Sequence, residues 1–332
     1  MKKIILFLSV FIFISCNSST KDLLDLTINE PSRKQINRSI LGVNNFFVYN
    51  EFGSIPAQFN DIKNNLKINH IRILIAWTNE VQPSPSSPIN FSFFDNILNN
   101  IPPGTDVLIV LSHTPNWMTN SANWIDGNPR KTWVEKFLKP VVSRYAGRPG
   151  VVGWEIFNEP DLITVASDSV LELTNADNYF EMLQLGHAAI RQIDPSRLAI
   201  MAATSSIQQK YPQNLDFNKR LFELGAENLT DIWNIHYYGK QFENVIRSGG
   251  VRNFLNALSK PIWITESGIT GINEQLAYVE TVWPFLTDEI RNIDRIYYYE
   301  YGNPSPLESN FGLRTTNPSF PVSDFYIYLR DN

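Results

Sequence analysis

From Ile36 onward, short runs of apolar residues alternate with longer stretches in which apolar positions recur every three or four residues. The first pattern is that of buried strands and the second that of helices with one packed face, so the alternation predicts repeated βα units around a parallel sheet. Eight strands are expected, at Ser39 to Phe47, Ile68 to Trp77, Asp106 to Ser112, Val151 to Phe157, Leu198 to Thr204, Asp231 to His236, Pro261 to Glu266 and Asp294 to Tyr301. The helices between them fall near Ile55 to Leu66, Phe91 to Asn100, Lys131 to Tyr145, Ala176 to Ile193, Lys219 to Leu224, Val251 to Leu258 and Glu274 to Glu289, with Phe320 to Leu329 closing the ring. The reading is an α/β fold, a single-domain (β/α)8 TIM barrel over residues 36–332.

Two of these strands end alike. Val151-Val152-Gly153-Trp154-Glu155-Ile156-Phe157 runs into Asn158-Glu159-Pro160, and the proline forbids helical backbone at Glu159. Pro261-Ile262-Trp263-Ile264-Thr265 runs into Glu266-Ser267-Gly268. Barrel enzymes place their chemistry at the carboxyl ends of strands, so these glutamates, 107 positions apart, are expected to face one cleft. The plain alternative is a pair of unrelated surface glutamates. Arg72 stands inside the apolar run Ile71-Arg72-Ile73-Leu74-Ile75, and a buried guanidinium requires an anionic partner.

Trp-Glu-Ile-Phe-Asn-Glu-Pro followed by Trp-Ile-Thr-Glu-Ser-Gly resembles the retaining glycoside hydrolases of clan A, families 5 and 39 being nearest. The resemblance implies cleavage of β-glycosidic bonds in a polysaccharide or oligosaccharide, with Glu159 as acid/base and Glu266 as nucleophile. It implies further that Arg72 meets Glu266 and that Asn158 bonds a sugar 2-hydroxyl. By the same resemblance His113 and His236 bind sugar and Tyr238 bonds the nucleophile, Tyr237 taking that place if the register slips by one. The eighth strand departs from family 5, which has a tryptophan at its end; here Tyr297-Tyr298-Tyr299-Glu300-Tyr301 offers a tyrosine platform and Glu300 to bind a hydroxyl. Trp117 and Trp124 are further platform candidates, with core packing an equal reading. A transglycosylase using the same glutamates, or a barrel that binds glycan without cleaving it, are the competing functions.

Composition narrows the partners. The formal charge of −5 and the absence of any Lys/Arg-rich run argue against nucleic acid. No His-x-x-x-His or clustered Asp/His spacing suggests a metal, and no cofactor is implied. Lys2-Lys3 and an apolar run from Ile4 to Ile14 read as a signal peptide over residues 1–15, too short to span a bilayer. Cys16, the sole cysteine, follows a small residue there, as in a bacterial lipoprotein box. Residues 16–35 would then be a lipidated tether, and the protein a membrane-anchored monomer facing the periplasm or cell surface. Most βα connections look short, which predicts an open groove and cleavage within chains.

Overall fold

The structure is a computed structural model and describes residues 30–332. The signal-peptide reading, Cys16 and most of the tether lie outside the described residues. Lys34 donates its backbone N–H to the Glu280 carbonyl (2.8 Å) and Arg33 ion-pairs with the Glu280 side chain. Among the described residues no helix is long and apolar enough to cross a membrane.

Eight parallel strands, β1 (Leu41–Asn44), β2 (His70–Ala76), β3 (Asp106–Ser112), β4 (Val151–Ile156), β5 (Leu198–Met201), β6 (Trp233–Tyr238), β7 (Ile262–Gly268) and β8 (Ile293–Tyr298), form one sheet. Its order, β5-β4-β3-β2-β1-β8-β7-β6, is that of a (β/α)8 TIM barrel opened along one seam. At the seam side chains stand in for the missing ladder. Ala199 donates to the Asp231 carboxylate (2.8 Å) and Met201 to Thr230 Oγ1 (3.0 Å), while Asp231 N–H reaches Ala199 O (3.0 Å).

Side-chain alternation divides the interior from the helical layer. On β2, Ile71, Ile73 and Ile75 join the large core between sheet and helices, whereas Arg72 joins a polar layer inside the barrel. Below that layer Leu108, Ile200, Ile232, Trp263 and Tyr297 form a separate apolar plug. Gly42 lets the Tyr297 ring lie against β1, since a Cβ there would overlap the ring.

The helices fall near their expected places. Ala176–Ile193 agrees residue for residue, and Gln275–Glu289 nearly so. The helix expected at Lys219 begins six residues earlier, at Gln213. β1 is shorter than predicted: Leu41–Asn44 satisfies the ladder, and Phe46 turns over the barrel mouth instead. Residues 320–329 do not form one element, since the last helix is Asp324–Asp331. The connections are not mostly short. Those after β3, β4 and β8 span residues 113–128, 157–175 and 299–323, and each contributes lining to the cavity at the mouth.

Candidate active site

Arg72 is wholly buried and gives away all five of its N–H groups. Nε and Nη2 hold Glu155 (2.7 and 3.0 Å), Nη1 reaches Glu266 Oε1 (2.6 Å) and Asn44 Oδ1 (3.0 Å), and Nη2 also reaches Asn158 Oδ1 (2.7 Å). Burial alone would favour loss of its proton, but the Glu155 and Glu266 charges outweigh that and hold it cationic. Asn44 in turn donates to Thr265 O (2.9 Å), and Asn234 donates to Glu155 Oε1 (2.8 Å) while accepting from Thr265 Oγ1 (2.7 Å). The layer thus ties β1, β2, β4, β6 and β7 together beneath the mouth.

Glu266 ends this network. Arg72 holds Oε1, and Tyr238 donates its hydroxyl to Oε2 at 2.7 Å. Burial raises its affinity for a proton, but the His236 and Arg72 charges and the two hydrogen bonds prevail, so its pKa lies below the usual carboxylate value. Tyr238, buried beside that charge, is pushed well above 10 and remains a donor. The register decides between the two tyrosines: Tyr237 faces the helical layer, where Tyr278 donates to its carbonyl.

Glu159 stands opposite, at the end of β4, with φ 45°, and Phe157 nearby has φ 77°. Two left-handed residues within three turn the chain sharply off the strand, a conformation that persists only where the surroundings impose it. His236 Nδ1 lies 2.9 Å from Glu159 Oε1 and 3.7 Å from Glu266 Oε2. Glu159, His236 and Glu266 each bring one polar atom within 4.8 Å of the others. Arg72 and Tyr238 already donate to the two Glu266 oxygens in this cluster.

A cavity of about 370 Å³ opens above these groups, lined by Arg72, His113, Asn158, Glu159, Glu266 and Tyr299 among others. Asn158 spends its oxygen on Arg72, which leaves its amide nitrogen for the cavity. His113 also has a left-handed φ of 70°; Asp168 fixes its Nδ1 at 2.9 Å, and Thr114 bonds the other Asp168 oxygen at 2.9 Å. Of the tyrosine run, Tyr299 alone lines the cavity. Glu300 does not line it: its Oε1 accepts from Asn303 (2.8 Å), and burial, with the Glu266 charge adding, pushes its pKa up to about 7. Trp117 and Trp124 donate to the carbonyls of Gln82 and Met118 and lie against the core, away from the cavity.

Several members were not singled out from the sequence. Glu155 carried the same signal as Arg72, a lone charge within an apolar strand, and the two signals are each other's answer. Asn44 and Asn234 had no such mark, and Asp168 sits 55 residues from His113 in a short 3-10 helix, Ala166–Leu171, that no sequence periodicity announces.

Residues 30–301 match the family model described as Cellulase (glycosyl hydrolase family 5). The chain is 24% identical over 124 residues to mannan endo-1,4-beta-mannosidase A of Hypocrea jecorina, a match spanning 36% of this chain and 28% of that protein. The fold resembles a family 39 glycoside hydrolase from Bacteroides cellulosilyticus WH2, with TM-score 0.65 and 17% identity, over 90% of this chain and 64% of that one. It also resembles a GH5_18 protein from Bifidobacterium longum subsp. infantis, with TM-score 0.62 and 16% identity, over 88% and 77% of the two chains. The chain therefore spans less than two thirds of the mannanase and of the family 39 structure.

Proposed function

The chain belongs to glycosyl hydrolase family 5; from that premise we propose that it is a clan A glycosidase that cleaves β-glycosidic bonds with retention of configuration. The observation that carries this reading is the closeness of the two carboxylates, whose facing oxygens lie within 4.8 Å. Retaining enzymes hold their carboxyl groups about 5–5.5 Å apart, whereas inverting ones leave about 6.5–9.5 Å for a water.

In this reading Glu266, kept ionised by Arg72 and Tyr238, attacks the anomeric carbon while Glu159 gives its proton to the departing oxygen. A glycosyl ester on Glu266 results, with the freed sugar alcohol as the first product. Glu159, now a carboxylate, takes a proton from water as that water attacks the same carbon and releases Glu266. His236 fixes the Glu159 carboxyl by its Nδ1, and the Asn158 amide nitrogen meets the sugar beside the reacting carbon. Proton NMR of the first-formed anomer tests the reading; an inverted product would reject it.

Cleavage within chains is part of the proposal, though short connections are no longer its reason. Two further cavities adjoin the first, one sharing Phe46 and Leu74 with it and the other His113 and Val165. A groove that continues past the reacting carbon suits a polysaccharide or oligosaccharide. Early products from a soluble polysaccharide should be mixed oligosaccharides, and exclusive release of monosaccharide would reject this part. Attachment to a membrane through Cys16 is proposed on the sequence alone; Cys16→Ser should release the protein into the soluble fraction.

A further inference from the structure

Arg72 carries one positive charge and faces two buried carboxylates, only one of which has a part in the proposed reaction. We propose that Glu155 is a positioning residue that takes up part of the Arg72 charge, so that Glu266 is kept ionised without being neutralised as a nucleophile. This rests on Glu266 being the attacking group.

The geometry supplies the argument. Glu155 is wholly buried and forms a two-pronged pair with Arg72, the stronger of the arginine's two ionic partnerships by number of bonds. Its other donor is the neutral Asn234. Asn44 and Asn158 show that an amide oxygen is acceptor enough for an Arg72 N–H. A carboxylate at position 155 therefore contributes two things that an amide would not, a second acceptor oxygen for the Arg72 and Asn234 donors and a charge. Burying it is costly unless the charge is used. Arg72 with Glu266 alone would be a closed, neutral pair. With Glu155 the trio carries one net negative charge, and it borders the carboxylate that must attack.

The other groups facing Glu266 do not remove the need. His236 and Tyr238 approach from β6, Glu159 from β4 and Glu300 acts from beyond β8. Around Glu155, the phenols of Tyr179 and Tyr297 lie near as neutral groups. When protonated, His236 adds positive charge on the Oε2 side, and the negative charge of Glu155 is then the counterweight on the Oε1 side.

The experiment compares Glu155→Gln, Glu155→Asp and the unsubstituted full chain on an aryl β-glycoside that the unsubstituted enzyme hydrolyses. Glu155→Gln should move the acid limb of kcat/KM to lower pH by about one unit, because Arg72 then serves Glu266 alone. The same variant should slow formation of the glycosyl-enzyme about tenfold without slowing its hydrolysis, since a weaker nucleophile is a better leaving group. Glu155→Asp keeps the charge and should keep the acid limb in place. A purely structural Glu155 predicts otherwise: Glu155→Gln would lose thermal stability and active fraction with its acid limb unmoved, and that result overturns the proposal. Should Glu155→Gln not fold, carbon NMR of the unsubstituted protein labelled at glutamate carboxyls decides, because a neutral Glu155 at the pH of best activity also overturns it. Trapping with a 2-deoxy-2-fluoro-β-glycosyl fluoride separates the two failures. A label on Glu266 with an unmoved acid limb rejects only this inference, and a label elsewhere rejects the proposed function.

Discussion

His236 Nδ1 lies 2.9 Å from Glu159 Oε1, and the imidazole has no exposed side-chain surface. Burial alone would lower its pKa, but the Glu266 charge and the Glu159 hydrogen bond and charge outweigh burial and raise it above 6.5. A group whose folded pKa exceeds its unfolded one contributes stability that is fully present below the unfolded value and is lost as pH rises through the folded one. His236→Gln should therefore destabilise by about 2 kcal/mol in mildly acidic buffer. The difference from the unsubstituted protein should shrink as pH rises past the folded pKa, as read by urea unfolding across pH. A difference that grows with pH would contradict the assigned charge.

Tyr238→Phe removes one of the two hydrogen bonds that hold Glu266. A hydrogen bond to a charged group is worth about 1.5–3 kcal/mol, so kcat/KM should fall about ten- to a hundredfold. Glu266 should also keep its proton to higher pH, which moves the acid limb upward. The depressed pKa of Glu266 contributes stability above the unfolded value that is lost as pH falls through the folded one, so this variant should also unfold at less extreme acidity. An unmoved acid limb in the pH–rate profile would count against the Tyr238 contact.

Glu300 behaves in the opposite sense. Its pKa is pushed up to about 7, chiefly by burial, so the folded protein holds a proton that the unfolded chain has already released. Stability should fall with rising pH between about 4.5 and 7 on its account, by about 3.4 kcal/mol at most. Glu300→Gln should remove that loss. Its unfolding free energy should exceed that of the unsubstituted protein above pH 7 and converge with it below about pH 4.5. Equal pH dependence of the two proteins would show that Glu300 is not held protonated.

Much of this site could be read from the chain because strands announce their buried charges. Arg72 among isoleucines and Glu266 after Trp-Ile-Thr each break an apolar run, and a barrel gives such breaks one place to meet. Glu155 breaks its run in the same way but is flanked four residues later by Glu159, whose proline-closed ending drew the functional reading. The strand β3 and the helix Ala176–Ile193 were legible to the residue because their periodicity is uninterrupted. The mouth was not. Asp168 reaches His113, and Phe46 reaches Tyr299, through loops whose course depends on tertiary packing that no local pattern encodes.

Gly268 closes the Glu266 motif, and a Cβ there would stand 2.5 Å from the Tyr299 carbonyl oxygen. Backbone cannot yield as a side chain can, so Gly268→Ala should push Tyr299 away from the cavity. The expected cost is about 1–3 kcal/mol of stability, together with a rise in KM. Thermal unfolding and initial rates on the same preparation test both parts. An unchanged KM would show that Tyr299 does not touch substrate.

The division of labour between the two glutamates predicts different failures when each is removed. Without Glu266 no group remains within reach of the anomeric carbon, so Glu266→Ala should lose turnover on every substrate. Azide can occupy the space vacated and attack from the same face, and the product should then be the inverted glycosyl azide. Without Glu159 the nucleophile and its Arg72 and Tyr238 contacts persist, and only proton delivery fails. Glu159→Ala should therefore form the glycosyl-enzyme readily from a dinitrophenyl glycoside, whose leaving group needs no proton. On an alkyl-linked oligosaccharide it should lose about 10²–10⁴-fold, the usual contribution of general acid catalysis. Hydrolysis of its glycosyl-enzyme should also be slow, because no base activates water. Azide needs no base, so it should accelerate this second step and yield the retained glycosyl azide. The two azide products, distinguished by their anomeric proton couplings, fix which carboxylate attacks and which transfers protons. An inverted azide from Glu159→Ala would exchange the two roles.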